Sequence, residues 1–141
     1  MEDEMKESIK LKLKQFAING VISESALREL ELQLGYPLPQ QYKDIMTEID
    51  GGEGFVGDQY LILWRVNEIA EFNKEYEVSK YAPGLLLFGS SGGGEAFAFD
   101  TRDPKFPIVM VPFIGMRMED AILVAGSFEE FLSALENGTF I

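Results

Sequence analysis

The sequence predicts an α+β fold: a single domain with an antiparallel-rich mixed sheet that is covered by N-terminal helices and a C-terminal helix. Apolar residues recur at helical spacing early in the chain and again at its end, whereas short apolar runs divided by Gly, Pro and Asp occupy residues 85–124. This order of elements is typical of the class. The 141 residues are expected to form one domain, 1–141, because a chain of that length buries about 68–70% of its unfolded surface.

The first 20 residues are expected to form an N-terminal helix or arm, 1–20. Their four acids balance four lysines, so residues 21–141 carry the whole net charge of −12. Ile9, Leu11 and Leu13 alternate as in a strand, but a longer apolar stripe at helical spacing favours a helix. The members of that stripe are Met5, Ile9, Leu13, Phe16 and Ala17.

Two short amphipathic helices are expected next. Ser23 is the predicted N-cap of the first helix, which Gly35 ends. Pro39 suits the first turn of the second helix, and the Asp-Gly-Gly sequence at 50–52 supplies its left-handed exit. Their buried faces are predicted to consist of Ala26, Leu27, Leu30 and Leu34, and then of Tyr42, Ile45, Met46 and Ile49.

The pattern then changes to mixed helix and strand. Residues 60–64 are β-prone, and Asn67 is the predicted N-cap of a helix whose inner face carries Ile69, Phe72 and Tyr76. Four more strands are expected at 85–88, 96–99, 108–111 and 121–124.

The last element is predicted to be a helix. Residues 127–130 read Ser-Phe-Glu-Glu, a capping box, and Gly138 ends the apolar stripe that follows.

Composition excludes the most familiar kinds of active site. The chain has no Cys and no His, which removes disulfides, thiolate nucleophiles, thiolate metal sites and imidazole bases. Its net charge of −12 disfavours direct nucleic-acid binding, because that affinity depends on Lys and Arg releasing counterions. No apolar run reaches the roughly 18 residues that cross a bilayer, and the chain begins with acidic residues where a secretory signal is basic. A cytoplasmic protein with no cofactor is therefore expected.

Two other features have the composition of possible sites of chemistry. The glycine-rich loop at 89–95 resembles a phosphate cradle, but it lacks the P-loop lysine and precedes a strand, so a hairpin connection is the better interpretation. Asp100 with Asp103, and Asp50 with Glu53, are carboxylate pairs of the kind that bind divalent cations or hydrolyse glycosides. Both pairs lie in ordinary turn sequences, so no metal site and no catalytic residue is predicted.

Several short motifs follow one another in a distinctive order. Leu38-Pro39-x-x-Tyr42 opens a helix that ends at residues 50–52, the run 87–100 contains the glycine loop, and two further motifs begin at Pro107 and Ala125. In this order they resemble the SUKH superfamily, the homologues of the yeast cell-wall-synthesis regulator, over residues 23–137. The family often has Asn where this chain has Asp50, and Asp where it has Ser91. The positions that the resemblance assigns to structure are Leu38, Pro39, Tyr42, Gly51, Gly52, Gly89, Gly93, Gly94, Asp100, Ser127 and Phe128.

The resemblance implies a binding function. Bacterial members are cytoplasmic immunity proteins that neutralise a cognate polymorphic toxin by direct binding, and fungal relatives are regulatory scaffolds. A non-catalytic immunity protein is therefore the leading hypothesis, and a regulatory adaptor in cell-envelope signalling is the alternative. A hydrolase using Asp100, Asp103 or Glu95 is the third possibility.

An acidic helix face is the predicted contact surface. Glu68, Glu71 and Glu75 occur at i, i+3 and i+7, so they line one side of their helix. Such a stripe would meet a basic toxin surface, such as the substrate groove of a nuclease, although a merely solvated face is the simpler interpretation. The only tryptophan is more typical of core filling than of a binding platform. The candidate partner-binding residues are Asp50, Glu53, Asp58, Trp64, Glu68, Glu71, Glu75 and Glu95.

Overall fold

A computed structural model describes residue 7 and residues 9–13, 16–20 and 22–138. Over this part of the chain it confirms the α+β class. Seven strands form one sheet in which the order in space follows the order in the chain. Each neighbouring pair is antiparallel, so the expected mixture of strand directions is absent from the described sheet. The strands are β1 (Ala17–Ile18), β2 (Gly52–Val56), β3 (Gln59–Leu63), β4 (Leu85–Ser90), β5 (Glu95–Asp100), β6 (Ile108–Pro112) and β7 (Ile122–Ala125).

Helices precede, interrupt and follow the sheet. They are α1 (Glu24–Leu34), α2 (Gln40–Ile49), α3 (Val66–Glu75), α4 (Val78–Tyr81) and α5 (Phe128–Asn137), with a 3-10 turn at Met118–Asp120. The predicted caps of α1 are confirmed: the Ser23 hydroxyl accepts from the Ala26 amide at 3.4 Å, and Gly35 has a φ of 87°.

The capping box of α5 is also confirmed, with one shift. The Ser127 hydroxyl accepts from the Glu130 amide at 3.2 Å. The Glu130 carboxylate, in turn, accepts from the amide of Gly126, one residue before the expected donor. The helix ends at Gly138, whose φ is 64°.

The N-terminal arm is shorter as a helix than its stripe indicates. Residues 9–12 are helical, but Phe16 has left the helix and Ala17 already belongs to β1. Ile9, Leu13 and Phe16 are nevertheless buried, so both types of spacing contribute to one core. Met5 lies outside the described residues.

A strand that the sequence did not predict follows α2. Residues 52–56 form β2, which pairs along its whole length with β3 through a hairpin turn at Gly57 and Asp58. Two glycines and a glutamate give this segment a low strand propensity, so its conformation depends on the pairing partner.

One face of the sheet is packed by α2 and α5 through aromatic rings. The Tyr42 ring lies 5.3 Å from Phe99, and Phe97 lies 4.9 Å from Phe131, between ring centroids. The Tyr42 hydroxyl is buried and has no hydrogen-bond partner within the described residues. Burial, together with the nearby charge of Asp50, raises the pKa of Tyr42.

The first helix packs differently from the expectation that it would cover the sheet. α1 lies mainly against α3. It is joined to the start of α2 by Glu31, whose carboxylate accepts from the Leu38 amide at 2.6 Å and pairs with Lys43 at 3.2 Å. The Leu-Pro motif is therefore held by a side chain of α1.

Asn73 on α3 completes the sheet where one strand ends. β3 pairs with β4 only at Ile62–Ser90 and Leu63–Gly89, which leaves the Leu87 backbone beyond the reach of β3. The Asn73 side chain accepts from the Leu87 amide and donates to the Leu87 carbonyl, both at 2.9 Å. These two bonds replace those of a neighbouring strand and fix α3 beside β4.

None of the described helices combines the length and the apolar character that a membrane span requires.

Candidate partner-binding surface

Asp50 does not belong to the acidic surface on which the sequence interpretation placed it. Its side chain is only 5% exposed. One carboxylate oxygen accepts from the Val66 amide at 2.9 Å, and the other accepts from the Arg65 Nε at 3.1 Å. Asp50 therefore caps the start of α3 from a position 16 residues earlier in the chain.

This cap corrects a second expectation. α3 begins at Val66, and Asn67, the predicted N-cap, lies inside its first turn. A distant carboxylate, and not the Asn67 side chain, accepts from the free Val66 amide.

Replacing Asp50 with asparagine is expected to lower the free energy of unfolding by about 1 kcal/mol. Asparagine tolerates the left-handed backbone of this position, where φ is 47°, and it keeps an oxygen for the Val66 amide. It loses the charge that faces Arg65. Urea denaturation would measure the change. Asp50→Ala removes both the cap and the charge, so an equal loss of stability in Asp50→Asn would show that the cap and the charge do not contribute separately.

The acidic residues of α3 have different roles. A Glu68 carboxylate oxygen accepts from the Arg65 amide at 2.9 Å and is committed to the helix start. Glu71 and Glu75 are exposed. The predicted stripe is thus reduced to two free-standing carboxylates, which lie one helical turn apart.

The β2–β3 hairpin contributes two further acids. Glu53 is exposed, and its carboxylate accepts a hydrogen bond from the Tyr60 hydroxyl across the hairpin. That bond raises the pKa of Tyr60. Asp58 is exposed in the turn itself. Both residues are exposed, and their contact with a partner remains a prediction.

The glycine-rich loop is a hairpin connection between β4 and β5. The Ser90 hydroxyl accepts from the Gly92 amide at 3.3 Å, and the Ser91 hydroxyl accepts from the Gly93 amide at 3.1 Å. Two of the amides that an anion cradle would use therefore have partners within the loop. Glu95, which follows, is half-buried at the start of β5.

Asp100 and Asp103 are held in a turn. Both oxygens of Asp100 accept from the Arg102 guanidinium, at 3.0 and 2.9 Å, and an Asp103 oxygen accepts from the Lys105 amide at 2.9 Å. Within the described ranges no three acidic side chains converge as a metal site would require. The observed role of this pair is turn chemistry.

The Asp100–Arg102 pair gives a prediction of pH dependence. The hydrogen bond from Arg102 holds the pKa of Asp100 below its usual value. A lowered folded-state pKa contributes stability above the unfolded pKa, and this contribution is lost as pH falls through the folded pKa. We therefore expect Asp100→Asn to destabilise the protein near neutral pH and to approach wild-type stability below about pH 3. Thermal unfolding across this range is the measurement, and a pH-independent difference would contradict it.

Trp64 is 8% exposed and forms the floor of an aromatic cluster. Its ring lies 4.9 Å from Phe72 and 6.3 Å from Tyr76, between centroids. Tyr76 in turn lies 4.8 Å from Phe113, whose amide donates to the Gly94 carbonyl at 3.0 Å. The cluster thus joins the end of α3 to the glycine loop.

The same sheet face continues from Trp64 onto the β2–β3 hairpin. Tyr60 and Ile62 precede Trp64 at alternate positions and therefore point to the same side. The Tyr60 ring packs edge-on against Phe55 at 5.0 Å, and Gly92 lies over Tyr60 and Ile62. We call this continuous set the aromatic strip: Phe55, Tyr60, Ile62, Trp64, Tyr76 and Phe113.

Trp64 is the only residue of this strip that the sequence indicated as a candidate partner contact. Tyr76 was assigned to the inner face of its helix, yet it is 44% exposed. Phe55 lay in a segment interpreted as a loop, and it is 51% exposed. The sequence of β2 shows no alternation of polar and apolar residues, because exposed Phe55 and buried Val56 are both apolar and buried Gly54 has no side chain.

A protein-family model matches most of the chain. The SMI1 / KNR4 family (SUKH-1) model matches residues 21–134, well over half of the chain. The chain belongs to this family. The family match confirms the resemblance that the ordered motifs indicated. No curated protein matches the chain.

The residues of the family motifs have structural roles in this fold. Leu38, Tyr42 and Phe128 are buried, and Ser127 caps α5. A side chain at Gly89 would collide with the Ile62 carbonyl of the neighbouring strand. SUKH-1 membership is compatible with toxin immunity or a related protein-binding role, and it names no partner for this chain.

Proposed function

We propose that this SUKH-1 protein binds and neutralises a cognate bacterial toxin in the cytoplasm, without catalysing a reaction. The observation that carries the proposal is a partly exposed aromatic strip that is accompanied by exposed carboxylates, in a family compatible with this role. Aromatic side chains are enriched at the centres of protein interfaces, and charged residues at the rim direct the encounter.

Electrostatics favour a basic partner. The net charge of −12 attracts a cationic surface over long distances at low ionic strength. A toxin that acts on nucleic acid needs a basic groove for phosphates, and an acidic protein seated there would exclude the substrate. Glu71 and Glu75 on α3, with Glu53 and Asp58 on the hairpin, supply exposed charge for such a contact.

The experiment uses the toxin domain that this proposal expects a neighbouring gene to encode. Calorimetric titration is expected to give a one-to-one complex, and toxin activity should fall in proportion to the protein added. A complex that leaves toxin activity unchanged would favour the regulatory adaptor. No complex at all would overturn the proposal.

A further inference from the structure

The aromatic strip exposes more apolar surface than folding requires. Phe55 is 51% exposed and Tyr76 is 44% exposed, and Ile114, the residue after Phe113, is 93% exposed. Single exposed apolar residues are ordinary, but a connected set of them indicates an interaction site. The rings form two contacting groups, Phe55 with Tyr60 and Trp64 with Tyr76 and Phe113, and half-buried Ile62 lies between the groups along β3.

The exposed rings are also held in place before any partner arrives. The Tyr76 ring is stacked on Trp64, with ring planes 12° apart, and lies 4.8 Å from Phe113, which also contacts Trp64. The Tyr60 hydroxyl is anchored on Glu53, and its ring is packed against Phe55. Ordering flexible side chains opposes association, so rings that are already ordered favour tight binding.

The glycine loop leaves the strip accessible. Gly92 approaches Tyr60 and Ile62 without covering them, since it has no side chain. Gly94 contacts the strip through its carbonyl, which accepts from the Phe113 amide. A side chain at residue 92 would lie against the strip, since a Cβ there would be 3.4 Å from the Tyr60 ring. The glycine loop therefore lies beside the strip, between Tyr60 and Phe113, and does not cover it.

The surrounding charge selects the occupant. Glu53 and Asp58 lie at the hairpin end, and Glu71 and Glu75 directly precede Phe72 and Tyr76 in the chain. Lys74 is also exposed there, so carboxylates outnumber ammonium groups around the strip. A second copy of this chain would bring the same carboxylates together, and like charges at an interface disfavour it.

We propose that the basic partner docks on the aromatic strip, placing an apolar side chain against Tyr76 and Phe113 while its Lys and Arg side chains meet Glu53 and Glu75. This inference rests on the proposed function and names its contact surface. The strip supplies the residence time of the complex, and the carboxylates supply the speed of the encounter.

The test compares two tyrosines of similar exposure. Tyr76→Ser removes a strip residue, and Tyr81→Ser removes a ring that is 48% exposed on α4, outside the strip. Dissociation of the complex with the toxin domain is measured by surface plasmon resonance. We expect Tyr76→Ser to speed dissociation at least tenfold and Tyr81→Ser to change it less than twofold. Phe55→Ser, at the far end of the strip, should behave like Tyr76→Ser.

Each outcome separates the inference from the function on which it rests. Wild-type binding with unchanged dissociation of both strip variants would overturn the docking surface and leave the immunity function intact. Absence of wild-type binding would overturn both. Thermal unfolding of each variant checks the fold, and Phe55→Ser decides the matter if Tyr76→Ser proves unstable.

Discussion

Replacing Gly51 with alanine is expected to destabilise the fold by about 4 kcal/mol or more, a loss at the extreme of single substitutions. Gly51 has a φ of 80°, and a Cβ there would lie 2.5 Å from the Leu63 carbonyl oxygen and 2.7 Å from that of Trp64. Backbone atoms cannot move aside as a flexible side chain can. Urea denaturation of the purified variant would measure the loss.

Gly35 offers a matched control. Its φ of 87° is almost the same, but a Cβ at that position meets no atom within 4 Å. Gly35→Ala should therefore cost only the left-handed conformation, about 1–2 kcal/mol. Equal losses of stability in the two variants would show that the left-handed backbone conformation alone, and not the close approach to β3, explains the need for glycine at position 51.

The close approach at Gly51 matters for the binding surface. It seats residue 51 against the end of β3, and the neighbouring Asp50 then reaches the amide at the start of α3. Asn73 fixes the same helix beside β4. These contacts together orient the helix that carries Glu71, Glu75 and, just beyond its end, Tyr76.

Reversing the charges of Glu71 and Glu75 on α3 is expected to slow association with the toxin domain at least tenfold at low salt. In Glu71→Lys with Glu75→Lys, two exposed carboxylates beside the aromatic strip become ammonium groups, which repel a basic partner. The fold should be retained, since both side chains lie in solvent. Stopped-flow mixing, with circular dichroism as a check on folding, would test this prediction.

A second double reversal distinguishes local from overall charge. Glu29→Lys with Glu119→Lys changes the net charge equally, and both residues are exposed on elements that contribute no residue to the strip, α1 and the 3-10 turn. We expect this control to slow association much less. Equal slowing by the two variants would mean that the net charge acts as a whole and that α3 has no special place in the encounter.

The sequence predicted those elements whose ends are capped locally. α1 and α5 each have a serine N-cap and a left-handed glycine at the other end, so a short window of residues contains the necessary information. The four strands between residues 85 and 125 were found because apolar runs and turn residues alternate there. Their antiparallel order follows from short connections.

Other features depend on contacts between distant residues, and these were missed. The start of α3 is capped by Asp50 from the preceding helix end, and β2 exists because β3 pairs with it. The aromatic strip joins β2, β3, the end of α3 and the segment after β6. Local sequence patterns do not indicate that Phe55, Tyr76 and Phe113 belong to one surface.

The salt dependence of wild-type association tests most directly whether acidic residues guide the partner. The rate constant for binding of the toxin domain is measured by stopped flow over a series of salt concentrations, with Trp64, the only tryptophan of the chain, excited as a reporter at the floor of the strip. We expect a steep fall in the association rate as salt rises, with a change in emission on binding. A rate that does not respond to salt would contradict the proposal that acidic residues guide a basic toxin onto this face.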